Sequence, residues 1–177
     1  MNAAYRIPER YSSATGESLA QEIGTGVLLH GPVGTGKSHR AAELMRTWVA
    51  AHLFDEGVKS AAMPMWVNVP RWLYDTRRSW RNPSVVVPTP DQMLVPRLLV
   101  LDDIGVEKPT DWALETLYVL VSCAYDSAST ALIVTSNLAP AALADRIGAR
   151  LVDRLVEMCA IVEVTGPSRR VEKRRNA

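Results

Sequence analysis

Residues 31–38 read Gly-Pro-Val-Gly-Thr-Gly-Lys-Ser, and they fit G-x-x-x-x-G-K-[ST] between an apolar run, Val27-Leu28-Leu29, and a helical pattern that begins near Ser38. The context constrains more than the string does. A loop from a strand into a helix N-terminus aims several backbone N–H groups and the positive end of the helix dipole at one point, which suits a phosphate chain. Glycines let the backbone wrap the oxygens without a Cβ clash. Lys37, expected to point into a solvent-filled site, can neutralise the outer phosphates, and the Ser38 hydroxyl can ligate magnesium. Gly31, Pro32, Val33, Gly34, Thr35, Gly36, Lys37 and Ser38, with His39 as the next residue on the helix, are therefore expected to bind a nucleoside triphosphate with Mg2+. The imidazoles of His30 and His39 read as structural, since their spacing suits no metal.

The rest of the chain alternates strands with helices. Strands are expected at 27–30, 65–69, 98–101, 131–135 and 160–164, and helices at 38–52, from Pro70 to about Trp80, at 110–125, and at 140–155 with a break near Gly148. Residues 81–96 carry four prolines and read as irregular. Strands apolar on both faces and separated by helices indicate an α/β fold with a parallel five-stranded sheet covered by helices on both sides. Residues 1–24 read as an N-terminal arm, 25–170 as the core, and 171–177 as a basic tail.

Composition narrows the classes. The chain has 177 residues and a net charge of +1, so bulk electrostatics favour neither a nucleic-acid coat nor a membrane surface. Cys123 and Cys159 have no metal-ligand spacing and read as free thiols of a reducing compartment. No apolar run has spanning length and residues 1–10 make no signal peptide, so the expected location is the cytoplasm.

Two further motifs carry chemistry. Leu98-Leu99-Val100-Leu101 ends in Asp102-Asp103, which brings two carboxylates to the carboxyl edge of a central strand, where ligands bind in open α/β sheets. Asp102 is expected to hold magnesium and Asp103 to orient and deprotonate a water. Thr135-Ser136-Asn137 ends another strand. Asn137 either reaches the γ-phosphate or the attacking water, or is an ordinary polar strand exit. Arg71, Arg77, Arg78 and Arg81 interleave with Trp72 and Trp80. The arginines form either a solvated face or a track for a single strand, and the tryptophans either stack bases or belong to the core stripe.

This ordered set resembles the AAA+ ATPases, specifically the DnaC/DnaI-type helicase loaders and their IstB-type transposition-helper relatives. The resemblance rests on Gly31–Ser38, on Leu98 to Gly105 with Asp102-Asp103-Ile104-Gly105, and on Trp112. It continues through Thr135-Ser136-Asn137-Leu138 and Arg150-Leu151-Val152-Asp153-Arg154-Leu155 to Gly166-Pro167-Ser168-Arg169-Arg170. It implies a P-loop NTPase core without a C-terminal lid domain, ATP as the nucleotide, Asn137 as sensor 1 and Arg170 as a sensor 2-like residue. Arg154 becomes an arginine finger that completes the site of a neighbouring subunit in an oligomer or filament; the plainer alternative is a surface arginine paired with Asp153 or Glu157. The implied partners are a replicative helicase and single-stranded DNA gripped by the segment after the second strand, in a helicase loader. The alternatives are an IstB-like transposition helper or a nucleotide-gated adaptor with negligible hydrolysis. Many AAA+ proteins have Glu where this chain has Asp103, and Arg169 stands where an aromatic residue is frequent. Thirty residues precede the phosphate loop, so the resemblance implies either a minimal loader, as of phage type, or a helicase-binding element elsewhere.

Overall fold

The computed structural model describes residues 7–11, 26–52, 64–105, 110–127 and 130–167. Five strands, β1 (Gly26–His30), β2 (Met65–Asn68), β3 (Leu98–Ile104), β4 (Ala131–Ser136) and β5 (Ala160–Glu163), form one sheet in the order β2-β3-β4-β1-β5. Every pairing is parallel. Among the described residues six helices connect them: α1 (Lys37–His52), α2 (Val69–Ser79), α3 (Pro90–Met93), α4 (Asp111–Asp126), α5 (Pro140–Ile147) and α6 (Ala149–Met158).

Strands β1 to β4 are apolar on both faces because each face is covered, whereas β5 lies at the sheet edge with Ala160, Ile161 and Glu163 exposed. Val27, Leu29, Val100 and Ile133 pack on one side with Ala41, Leu44, Met45 and Trp48 of α1. Leu28, Leu99, Leu101, Leu132 and Val134 face the other side, against α2, α4, α5 and α6. Within the segment expected to be an arm, Ile7 and, at the end of a short 3-10 turn (Glu9–Tyr11), Tyr11 pack against the α1-side core.

Three local features differ from the sequence expectation. The segment read as irregular contains α3, opened by a capping box in which Thr89 accepts from the Gln92 N–H while the Gln92 side chain takes the Thr89 N–H. The T-P-x-Q spacing carried that signal beneath the prolines. Helix α2 begins at Val69, with Pro70 in its first turn and Asn68 as its N-cap. Strand β3 does not stop at Leu101 but runs through both aspartates to Ile104. The break between α5 and α6 is where the sequence put it, at Gly148 with φ 101°.

Candidate functional site

The phosphate loop leaves β1 at Gly31, whose φ is 143° and whose absent Cβ would stand 2.4 Å from the Val164 carbonyl oxygen. No side chain fits there, so the loop can turn only at a glycine. Gly34 and Gly36, with φ of 90° and 101°, complete the wrap. Lys37 does not extend into solvent as the sequence suggests. It is 5% exposed, and Nζ donates to the carbonyls of Gly31 and Pro32, both at 2.8 Å. The ammonium thus lies back over its own loop, and Thr35 also donates to Pro32 O at 3.0 Å.

The two carboxylates are set by a β-bulge. Between the pairs Leu101↔Val134 and Ile104↔Ser136, Asp102 and Asp103 together oppose Thr135 alone. Asp103 takes φ 64°, the one left-handed non-glycine residue among those described. Aspartate tolerates that backbone better than glutamate, which accounts for the shorter acid at this position. The Thr135 hydroxyl joins the bulge. It accepts from the Asp103 N–H at 2.9 Å and donates to Asp102 Oδ1 at 2.8 Å. One residue on, Ser136 Oγ donates to Ile104 O at 3.0 Å and accepts the Leu138 N–H at 3.1 Å.

Asp102 is fully buried. Burial pushes its carboxyl above the ordinary carboxylate range, the charge of Asp103 adds to this, and hydrogen bonding from Ser38, Thr135 and Asn68 opposes it. Its second oxygen, Oδ2, has no hydrogen-bond partner. A buried carboxylate oxygen without a donor, beside a second acid and within reach of the Ser38 hydroxyl, fits a divalent cation. Asp103 is less buried, and its Oδ2 accepts from Asn68 Nδ2 at 3.5 Å.

Asn68, which the sequence reading passed over, also reaches this edge. Its Oδ1 takes the Arg71 N–H at 3.2 Å and caps α2, while its amide faces the acids. Thr135 was legible only as part of a polar strand exit. Asn137 lies in the bend after β4, half-buried, two residues beyond the hydroxyl that holds the acids. The structure therefore brings Lys37, Ser38, Asp102, Asp103, Thr135 and Asn68 to one edge of the sheet. Arg169, Arg170 and the tail lie outside the described residues.

Helix α2 separates its two tryptophans. Trp72 is 2% exposed and its indole N–H donates to Pro88 O at 3.0 Å, so it belongs to the core. Trp80 is 63% exposed and meets Trp112 edge-on at 5.1 Å between centroids. Arg77 lies over Trp112 at 5.2 Å, and Arg71 and Arg78 lie over the exposed Tyr74 ring at 5.9 and 5.8 Å. Arg71 and Arg78 also pair with Asp75, and Arg81 is exposed just past the helix. The result is two groups of guanidinium and aromatic side chains, Arg71 and Arg78 on Tyr74, and Arg77 and Trp80 on Trp112.

Arg154, on α6, is not paired with Asp153 or Glu157, the expected surface alternatives, among the described residues. It donates to Ser122 Oγ of α4, and its guanidinium lies over the rings of Tyr118 and Tyr125 at 4.9 and 5.4 Å.

Comparison with known proteins agrees with this geometry. The family model described as IstB-like ATP binding protein matches residues 18–177. An ATP-binding protein of an insertion sequence from Mycobacterium tuberculosis is 31% identical over 165 residues, covering 86% of this chain and 59% of its own length. The chain thus spans under two thirds of that relative. Among solved structures, the DnaC helicase loader superposes with a TM-score of 0.68 at 19% identity, over 89% of this chain and all of that one. The replication initiator DnaA bound to AMPPCP and single-stranded DNA gives 0.64 at 17% identity, over 99% of this chain and 56% of that one. At such identities the likeness is one of fold, and the fold is that of the AAA+ P-loop NTPases. No helix among the described residues is long and apolar enough to cross a membrane. The chain, with its phosphate loop and paired aspartates on this core, belongs to the IstB-like ATP-binding protein family.

Proposed function

We propose that this protein hydrolyses ATP with magnesium and acts on DNA as an oligomer. The observation that carries the proposal is the bulge at Asp102–Asp103, which orients two acids differently at the loop edge. Ser38 and Asp102 would hold the ion, which supplies positive charge to the phosphates. Lys37 exchanges its two loop carbonyls for phosphate oxygens. Asp103, free of the buried ion seat and hydrogen-bonded to Asn68, takes the proton of an attacking water. Asn137 and Arg170 would complete the subunit's own site, and Arg154 that of its neighbour. The exposed Arg71, Arg77, Arg78 and Arg81 with Tyr74 and Trp80 would take single-stranded DNA, by charge on the phosphates and stacking on the bases.

The finer role follows the sequence kinship. A relative named for an insertion sequence, together with the family match, favours a helper ATPase in transposition. A helicase-loading role has the DnaC fold likeness in its favour, at 19% identity. ATP turnover with and without single-stranded DNA tests the common core. Negligible turnover in both, with ATP still bound, would leave a nucleotide-gated adaptor. Stimulation by the transposase of a neighbouring gene rather than by a replicative helicase would place the protein among transposition helpers, and the reverse result among loaders.

A further inference from the structure

Arg154 of α6 is surrounded by side chains of α4. Tyr118, Ser122 and Tyr125 follow one another at spacings of four and three, so they share one stripe of α4. That stripe faces α6, and all three residues engage the same guanidinium. Leu117, Leu120, Val121 and Ala124 form the buried stripe of the helix. The three Arg154 partners are therefore additional to the core. Tyr118 and Tyr125 remain 38% and 44% exposed. Glu157, also on α6, hydrogen-bonds the Tyr125 hydroxyl and, with its charge, pushes the phenol pKa up, so the ring stays neutral.

We propose that Tyr118, Ser122 and Tyr125 form a latch that withholds Arg154 in the isolated subunit and releases it on assembly. This rests on the reading of Arg154 as the group that enters a neighbour's ATP site. A guanidinium engaged with two rings and a hydroxyl cannot also meet a phosphoryl group of another chain. The latch is made of interactions that can be exchanged: half-exposed cation–π faces and one neutral acceptor, with no buried ion pair to break. Its strength lowers the fraction of subunits with a free arginine, and so lowers turnover at protein concentrations where assembly is incomplete. The triphosphate of the adjoining subunit is the competing partner, since it offers full negative charge against the quadrupole of a ring.

The test measures ATP turnover per subunit against protein concentration for wild type, Ser122→Ala and Tyr118→Leu/Tyr125→Leu. Ser122→Ala places a good helix former on the half-exposed side of α4 and removes the acceptor of Arg154, together with the Ser122 Oγ bond to the Tyr118 carbonyl of its own helix. Both variants should reach half-maximal turnover at lower protein concentration. Below saturation the double variant should be faster by roughly five- to thirtyfold, the scale of two exposed cation–π interactions. Independently, the Arg154 side-chain N–H signal in a nitrogen–proton NMR spectrum should carry a ring-current shift in the dilute wild type. That shift should disappear with ATP-driven assembly. Arg154→Ala separates the two readings. If it is dead while the latch variants keep the wild-type concentration dependence, the latch is wrong and the arginine finger stands. If Arg154→Ala turns over at the wild-type rate, the finger reading fails and the latch with it. Folded latch variants that assemble normally but hydrolyse more slowly would make the tyrosines supports of the productive arginine, and would also overturn the proposal.

Discussion

Thr135 donates its hydroxyl to Asp102 Oδ1 at 2.8 Å, from a strand that the sequence places far from that acid. The same oxygen accepts the Asp103 N–H. One threonine therefore ties a polar group of each aspartate together across the bulge. Thr135→Val, which keeps the shape, should cost about 2–3 kcal/mol of stability for the orphaned donor and acceptor, and should slow hydrolysis as the acids lose their mutual placement. Thr135→Ser should restore most of both. Urea denaturation and steady-state turnover check the pair, and a Val variant as stable as wild type would show that the bridge does not hold the acids.

Asp103→Asn keeps the side chain's size and suits the left-handed backbone even better than aspartate. It removes only the basic oxygen. ATP should bind as before, while turnover falls on the order of a hundredfold. Asp103→Glu should unfold at a lower temperature than either, because a longer side chain gains nothing at φ 64°. Single-turnover kinetics with separate binding measurements distinguish the cases. Unchanged turnover in Asp103→Asn would pass the role to another acid; Glu107, which lies outside the described residues, is the nearest in sequence.

Lys37→Ala should abolish tight ATP binding by calorimetry. It should also disturb the free loop, because Nζ holds the Gly31 and Pro32 carbonyls. A surface lysine would leave the melting temperature untouched; here a loss of about 1–2 kcal/mol is expected, from two bonds made by a charged donor. Wild-type ATP affinity in this variant would move the nucleotide site elsewhere.

Asp102 should make the nucleotide-free protein sensitive to pH. Its carboxyl is raised in the folded state, chiefly by burial and next by Asp103. The folded state therefore holds that proton more tightly than the unfolded chain does. The contribution of Asp102 to stability is greatest below the ordinary carboxylate range and declines as pH rises through its raised folded value. Asp102→Asn should flatten that part of the stability profile and melt higher than wild type near neutral pH, by about 2–4 °C for each kcal/mol gained. The same variant should lose magnesium-dependent ATP binding. A lower melting temperature at neutral pH would show that Asp102 is not a destabilising charge.

Replacing Arg77 and Arg78 together with Ala should weaken single-stranded DNA binding and reduce its salt slope by about 0.7 for each phosphate no longer neutralised. Trp80→Ala should weaken binding with little change in slope, since stacking releases no counterions. Anisotropy at several salt concentrations measures both. If the slope is unaltered, the arginines are a solvated face whose cation–π interactions are internal.

What the sequence made legible was contiguous. The phosphate loop is one string between two recognisable patterns, and each strand announces itself by an apolar run with a polar end. What it concealed depends on register and on where helices stop. Nothing in the residues around Asp102 encodes a bulge, because the bulge exists only opposite β4, and Thr135 gains its role only from that pairing. Trp72 and Trp80 share a helical spacing on paper. Helix α2 ends at Ser79, however, and Trp80 turns outward to Trp112. Arg154 was readable as an arginine near a helix break, but its direction depends on α4, whose stripe of Tyr118, Ser122 and Tyr125 suggested nothing in isolation.

The amide of Asn68 is used at both ends, its oxygen on the first turn of α2 and its nitrogen on Asp103. Few side chains can occupy such a position. Aspartate keeps the cap but puts a third negative charge beside two acids; serine keeps the cap and loses the donor; alanine loses both. Residue 68 is thus a place where the start of the arginine-bearing helix and the poise of an acid cannot be tuned separately, and selection on either one is selection on the other.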